Sequence, residues 1–384
     1  MQKKCVNLLL CSAIFLSACT QTLPPSSSPA LSQSASPNTV LVASGQWLRP
    51  ADLAVDFYLD PQPSGLTWYE GQLAMIADAS AHASQIKRLH FIDPLTALVS
   101  KTAPYTITAS LTQNCFVEYL TTRPDLEALV KDPFLPDTFI TVTEDASTLG
   151  ELTAACQARF SATHSTEYPT VLVRLTLSEG GLKVVGTRAV QFPEDAQVGN
   201  FPNDGVEGLA IANHTLYLGL EKDKNNQARV FTTTLDTDFW QQTGFVRVQS
   251  HPIDYPNYNL QGPNPINALE IFVDRDKTWL LAAARNDNEL WITNLADTTE
   301  MYRVKLAFLA PNYGSGCEPL SQMDNASLEG IAVHEGMVYT VNDPWKKNYH
   351  KNITCTEMQP FYAASAPLLF KIPLAELWRH AQRL

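Results

Sequence analysis

The chain has 384 residues, with 39 acidic against 27 basic side chains and a formal net charge of −12. That balance argues against nucleic acid or anionic lipid headgroups as the main partner, and it permits cation binding. Its length is long for one ordinary domain, but repeat arrays grow this way without dividing.

Residues 1–18 read as a secretory leader: Lys3 and Lys4, a short apolar run to Phe15, then small residues. The run is too short and interrupted for a stable membrane span. Leu16-Ser17-Ala18-Cys19 closely resembles the bacterial lipobox, which implies cleavage before Cys19 and lipidation of that residue. Thr20 at the next position implies sorting to the outer membrane of a Gram-negative bacterium, facing periplasm or cell surface. The alternative is ordinary cleavage near Ala18 and a soluble secreted protein. Losing Lys3 and Lys4 with the leader takes the net charge from −12 to near −14. Residues 19–46 are rich in Ser, Pro and Ala and read as a flexible tether. Residues 47–384 read as one domain, expected to be a monomer.

Within it a short module recurs. Val206-Glu207-Gly208-Leu209-Ala210 is followed by a turn and by Leu216 to Glu221. Leu328-Glu329-Gly330-Ile331-Ala332 leads likewise to Val338 through Asp343, and Ser64-Gly65-Leu66 to Leu73 through Asp78. Weaker copies start at Glu127, closing at Glu144, and at Asn267, closing at Ala284 or Arg285. The module's first positions are nearly evenly spaced, apart from one longer interval between Glu127 and Glu207. Alternation in the third copy puts Glu207, Leu209 and Ile211 on one face of a strand. Glu70-Gly71, Asn213-His214 and Glu335-Gly336 fit hairpin turns. A third apolar run follows each hairpin (86–92, 228–231, 290–292) and often a fourth (245–248, 302–306). Four strands per unit around an axis predict an all-β fold, a β-propeller of five four-stranded blades, with six possible. The last unit shows three strands ending at 368–372, so residues 53–59 are expected to supply its outer strand and close the ring. A β-sandwich is the alternative. Residues 374–381 suggest a short terminal helix.

Four cysteines follow the same phase. Cys115 precedes Glu127 by the same interval that separates Cys317 from Glu329, and Cys156 follows Glu144 by the interval that separates Cys355 from Asp343. This predicts Cys115–Cys156 and Cys317–Cys355 bridges, each worth about 4 kcal/mol by loop closure, in an oxidising compartment.

In an antiparallel hairpin the start of one strand lies beside the end of its partner. Glu127 with Glu144, Glu207 with Glu221, Glu329 with Asp343, and Ser64 with Asp78 should therefore share one rim, at the mouth of a central channel. Carboxylates about 6 Å apart repel by roughly 3 kcal/mol at an effective dielectric of 20. They need a proton, an Arg or Lys, or a hard cation such as calcium, unless each caps a neighbouring unit's backbone amides. Arg285, if it rather than Ala284 closes the fourth unit, could be the counterion; Arg285 and Lys222 are also candidates for holding an anion. His350 is a possible base in a nearby loop. No G-x-S-x-G, H-E-x-x-H or paired Cys-x-x-Cys motif occurs.

The repeated Glu-Gly-Leu-Ala or Glu-Gly-Ile-Ala element, short hairpin and closing acid resemble the propellers grouped as esterase-like-phytase and SdiA-regulated proteins. The resemblance spans residues 63–345. It implies a propeller, usually six-bladed, with calcium near the axis, and hydrolysis of phosphate or carboxyl esters. Acids of the pattern are missing at Ser64, Asn267 and Ala284. The expected function is a lipid-anchored binding propeller with a calcium-type site for a small ligand or an envelope protein partner. A metal-dependent ester hydrolase and a non-catalytic envelope scaffold are the alternatives.

Overall fold

Four two-residue turns set the framework. Glu70-Gly71, Asn213-His214, Arg275-Asp276 and Glu335-Gly336 all have positive φ at both residues, the conformation that matches the twist of a tight hairpin. The computed structural model describes residues 40–384 apart from 145–151, 202–204 and 256–264; the leader, Cys19 and most of the tether lie outside the described residues. A fifth hairpin, in the second unit, turns through the longer segment 132–137.

The fold is all-β with a few short helices. The inner strands of the units are Pro63–Tyr69, Leu126–Lys131, Val206–Ala212, Ile266–Asp274 and Leu328–His334. Each pairs antiparallel with the strand that follows it. Each also packs on the inner strand of the next unit, and the fifth packs back on the first. Five apolar cores sit in the five gaps. Leu129 and Phe91 share the core between units one and two, for example, while Ala128 and Leu209 share the next. An inner strand thus buries both faces, which explains its near-continuous apolar sequence. Hydrogen bonding links the units into two ten-stranded sheets and one of four strands. The first two units join where Leu98–Ile107 and Gly181–Gln191 run parallel.

The N-terminal closure occurs, but through a different segment. Leu41–Trp47 pairs antiparallel with Leu368–Pro373 and parallel with Asp297–Pro311, so it completes the fifth unit. Residues 53–59 form no strand. Leu41, Ala43 and Trp47 alternate inward, a pattern hidden by the Ser/Pro-rich composition just before it. The tether boundary expected at 46 therefore falls too late. The fourth strand expected at 245–248 is also split. Val246–Arg247 pairs with the second unit, and only Gln249–Ser250 pairs with the third. The terminal helix is present as Leu374–His380, with Leu377 fully buried.

Both expected disulfides are present, Cys115–Cys156 and Cys317–Cys355, closing 41 and 38 residues. They tie equivalent loops in the second and fifth units.

The glycine after the module's acid is a packing requirement. A Cβ on Gly208 would lie 2.7 Å from Leu269 Cγ and 2.9 Å from the Leu269 amide nitrogen, in the next unit's inner strand. Gly65 and Gly330 meet Leu129 and Leu66 in the same way. We expect Gly208→Ala to lose about 1–3 kcal/mol in urea unfolding. Gly316→Ala, where nothing lies within 4 Å, serves as the near-neutral control.

Candidate functional site

A β-bulge places each module acid. The pairing register slips between Val206 and Gly208, leaving Glu207 as the extra residue. The same slip occurs at Ser64, Asn267 and Glu329, and across Glu127–Ala128. A bulge bends the strand and re-aims the extra side chain. Strict alternation, with Glu207 on the Leu209 face, therefore gives way at this one residue. The closing residue of each hairpin follows immediately after the last paired one. Its amide donates to the carbonyl two residues before the module acid: Asp78 to Gln62 (3.1 Å), Glu144 to Asp125 (3.0 Å), Glu221 to Gly205 (2.9 Å) and Asp343 to Ser327 (2.7 Å). By the same register the fourth unit's closing residue is Arg285, not Ala284.

Eight carboxylates line one cavity of about 660 Å³. Glu127, Glu207 and Glu329 come from the bulges; Asp78, Glu144, Glu221 and Asp343 close the hairpins. All seven are legible from the repeat. The eighth, Asp125, is not, because it precedes the strand and belongs to no repeated position. Four basic side chains share the lining: Arg285, Arg123, Lys346 and Lys347. Lys222 is not among the described lining residues, and His350 is exposed and also outside them.

The cavity is a cup rather than the mouth of a channel. Beneath the acids, Leu66, Leu129, Leu209, Leu269 and Ile331 surround a void of only about 10 Å³. This apolar plug lowers the local dielectric under the carboxylates and strengthens their mutual repulsion.

Arg285 answers part of that repulsion. Its guanidinium bonds Glu329 and lies 3.1 Å from Glu221 Oε1. Burial opposes its charge, but the carboxylates of Glu329, Glu221 and Glu207 outweigh that and hold it protonated above its ordinary range. With both contacts on carboxylates it acts as an internal counterion, which removes it as an anion-binding group. Burial, and then Glu207 and its acidic neighbours, push Glu127 well above the usual carboxylate range. Glu207 and Glu144 are raised for the same reasons, burial first. Carboxylate oxygens of the two lie within 4.8 Å of each other. Asp78 is pushed up to about 8, by burial and then by Asp343 and Asp125.

Some of the acids also do structural work. Glu144 Oε1 accepts from the Gly205 amide at 2.9 Å, and Asp125 Oδ1 from the Ala79 amide at 2.7 Å, each across a unit boundary. Ser64 Oγ donates to the Leu126 carbonyl in the same sense. At the rim, Arg123 Nε donates to Ala79 O (2.5 Å) and Lys346 Nζ to Ser80 O (2.6 Å) while pairing with Asp60 (2.8 Å). These two cations clamp the segment that Asp78 turns by accepting the Ser80 and Ala81 amides.

Two overlapping triads have carboxylate oxygens within 4.8 Å of one another: Asp125, Glu127 and Glu144, and Glu144, Glu207 and Glu221. Oxygen-only clusters of this density suit a hard cation. Glu329 Oε2, in the lining beside the triads, is buried and has no hydrogen-bond partner among the described residues, so the cup has unmet acceptor capacity.

No known family profile matches the chain, and no curated protein matches it. Solved structures resemble it weakly. One, from Parabacteroides distasonis and provisionally described as a glycoside hydrolase, is 11 % identical, with 85 % of this chain and 87 % of that one covered and a TM-score of 0.43. The allergen Mala s 1 of Malassezia sympodialis is 10 % identical over 81 % and 78 %, at 0.37. An exported protein of Bacteroides fragilis is 7 % identical over 87 % and 99 %, at 0.33. No helix among the described residues is long and apolar enough to cross a membrane.

Proposed function

We propose that the chain is a lipid-anchored β-propeller of five blades, built to bind a hard cation of calcium type in its acidic cup and, through that cup, a ligand or partner. The five-blade reading is supported by five inner strands that contact one another in a closed cycle, with one apolar core per gap. Anchoring at Cys19 and an outer-membrane address rest on the leader and the lipobox resemblance. The observation that carries the cation reading is the imbalance of the cup, eight carboxylates against four basic groups, two of which clamp a rim segment. Glu144, Glu207 and Glu221, or Asp125, Glu127 and Glu144, would hold the ion. Bound there, it would supply Lewis acidity and a fixed positive charge.

Calorimetric titration of metal-stripped protein with calcium tests this. We expect saturable binding and, at a calcium concentration near 100 times Kd, about 2.7 kcal/mol of added stability. Glu207→Gln should weaken binding at least tenfold. Absence of both heat and stabilisation at millimolar calcium would end the reading.

The second reading is a metal-dependent hydrolase of phosphate or carboxyl esters, as the esterase-like-phytase resemblance implies. It is favoured by Lys347 in the lining beside Trp345, where an anionic ester could sit across from a bound ion. Turnover of phytate, p-nitrophenyl phosphate or p-nitrophenyl acetate that needs calcium and vanishes in Glu207→Gln would select it.

A further inference from the structure

The cup is larger than one ion requires. A volume of about 660 Å³ falls in the range of small-molecule sites, roughly 300–1,000 Å³. Asp78, Glu329 and Asp343 line it but belong to neither oxygen triad. Glu329 is only 4 % exposed, and its Oε2 has no partner among the described residues; Asp343 Oδ1 is likewise buried without one. Buried acceptors without donors are costly. The excess is therefore of acceptors, spread over more of the wall than one ion can reach.

Arg285 shows what chemistry satisfies this wall, a nitrogen cation lying between Glu221 and Glu329. At the mouth, Trp345 is 48 % exposed, and the Lys347 ammonium lies 5.9 Å from its ring centroid. An indole face is a favourable surface for an ammonium group. A smaller recess of about 160 Å³, lined in part by Asp324, shares Asp343 and Trp345 with the cup.

Resting on the reading of the cup as a cation site, we propose that its organic ligand is a linear oligoamine, carrying two or more ammonium groups separated by a few methylenes. Each ammonium offers two or three N–H donors, three where it is terminal, and no acceptor, so it answers the shortage. An anionic or hydroxyl-rich ligand would add acceptors to a site already crowded with them. A flexible chain also reaches separated carboxylates in one molecule and can pass Trp345 into the adjoining recess.

Calorimetry on the full chain tests this, with spermidine, putrescine and the monoamine propylamine as probes, each with and without calcium. We expect one spermidine per chain, bound at least tenfold more tightly than propylamine. Glu329→Gln and Asp343→Asn, outside the oxygen triads, should each weaken spermidine at least fivefold. Spermidine no tighter than propylamine overturns the proposal, as does affinity unchanged in both variants. A tetralysine peptide that binds more tightly than spermidine overturns it in favour of a basic protein segment. If a variant does not fold, the wild-type ranking of the probes decides alone. Calcium binding without spermidine binding rejects the oligoamine and leaves the ion reading intact; spermidine binding without calcium binding does the reverse.

Discussion

Replacing Arg285 by methionine lowers the unfolding free energy by about 3 kcal/mol, read from urea denaturation at neutral pH. Removing one partner of a buried ion pair typically costs about 3–5 kcal/mol, because it leaves the other charge uncompensated. Here two carboxylates lose their partner, Glu221 and Glu329, whose side chains are 9 % and 5 % exposed. The Arg285 side chain is itself 26 % exposed, so water screens part of the interaction and the lower end of that range applies. Methionine preserves much of the aliphatic volume, which separates lost charge from lost packing. Two further results identify the cause. Adding Glu329→Gln to Arg285→Met should cost less than the two single changes summed, as expected for groups in direct contact. Millimolar calcium should reduce the Arg285→Met deficit, because a mobile cation then takes over from the tethered one. A loss under about 0.5 kcal/mol, the size of an ordinary surface substitution, would mean that Arg285 is not the cup's counterion. So would a deficit indifferent to both Glu329→Gln and calcium.

The sequence carries the site unusually far, and the reasons are local. Glu207 and Glu221 stand on the two arms of one short hairpin, and hairpin geometry alone brings them to one rim. The fivefold recurrence then brings Glu127, Glu329 and their partners to the same place. Cys115 and Cys156 can be paired because both keep the phase of the repeat. What cannot be read depends on contacts outside the module. The local apolar pattern points to 53–59 as the closing strand, while Leu41–Trp47 closes the fold through pairing with strands near the far end of the chain. Asp125 belongs to no repeated position, so only the folded chain brings it into the cup. The β-bulge that turns Glu207 away from the Leu209 face depends on pairing register, which composition does not encode. A channel follows only if the ring is drawn without its five apolar side chains. Three of those residues, Leu66, Leu129 and Leu269, are the ones Gly330, Gly65 and Gly208 approach so closely.

Raising the pH from 5 to 8 at low metal destabilises the protein, and saturating calcium flattens that dependence. Asp78 is held near 8 in the folded chain and Asp343 near 6, in both cases chiefly by burial. For Asp343, Arg285 and Lys346 pull the other way without prevailing. Unfolded, both groups titrate near the ordinary value of about 3.9. Between the unfolded and folded pKa values the native state binds more protons than the unfolded state, so stability falls as pH rises across that window. The fall begins near pH 4, is joined by the full effect of Asp343 at about pH 6, and is complete for Asp78 somewhat above pH 8. Glu144 and Glu207, both raised in the folded chain chiefly by burial, add to it in the same direction. A cation that takes the place of these protons must release them, so calcium titrations in buffers of different ionisation enthalpy should register proton release at pH 6–7. Urea midpoints at pH 5, 6.5 and 8, with chelator and with calcium, give the sign directly. A midpoint that rises with pH under chelator would show that the carboxylates are already neutralised within the fold, and the case for an external cation would go with it.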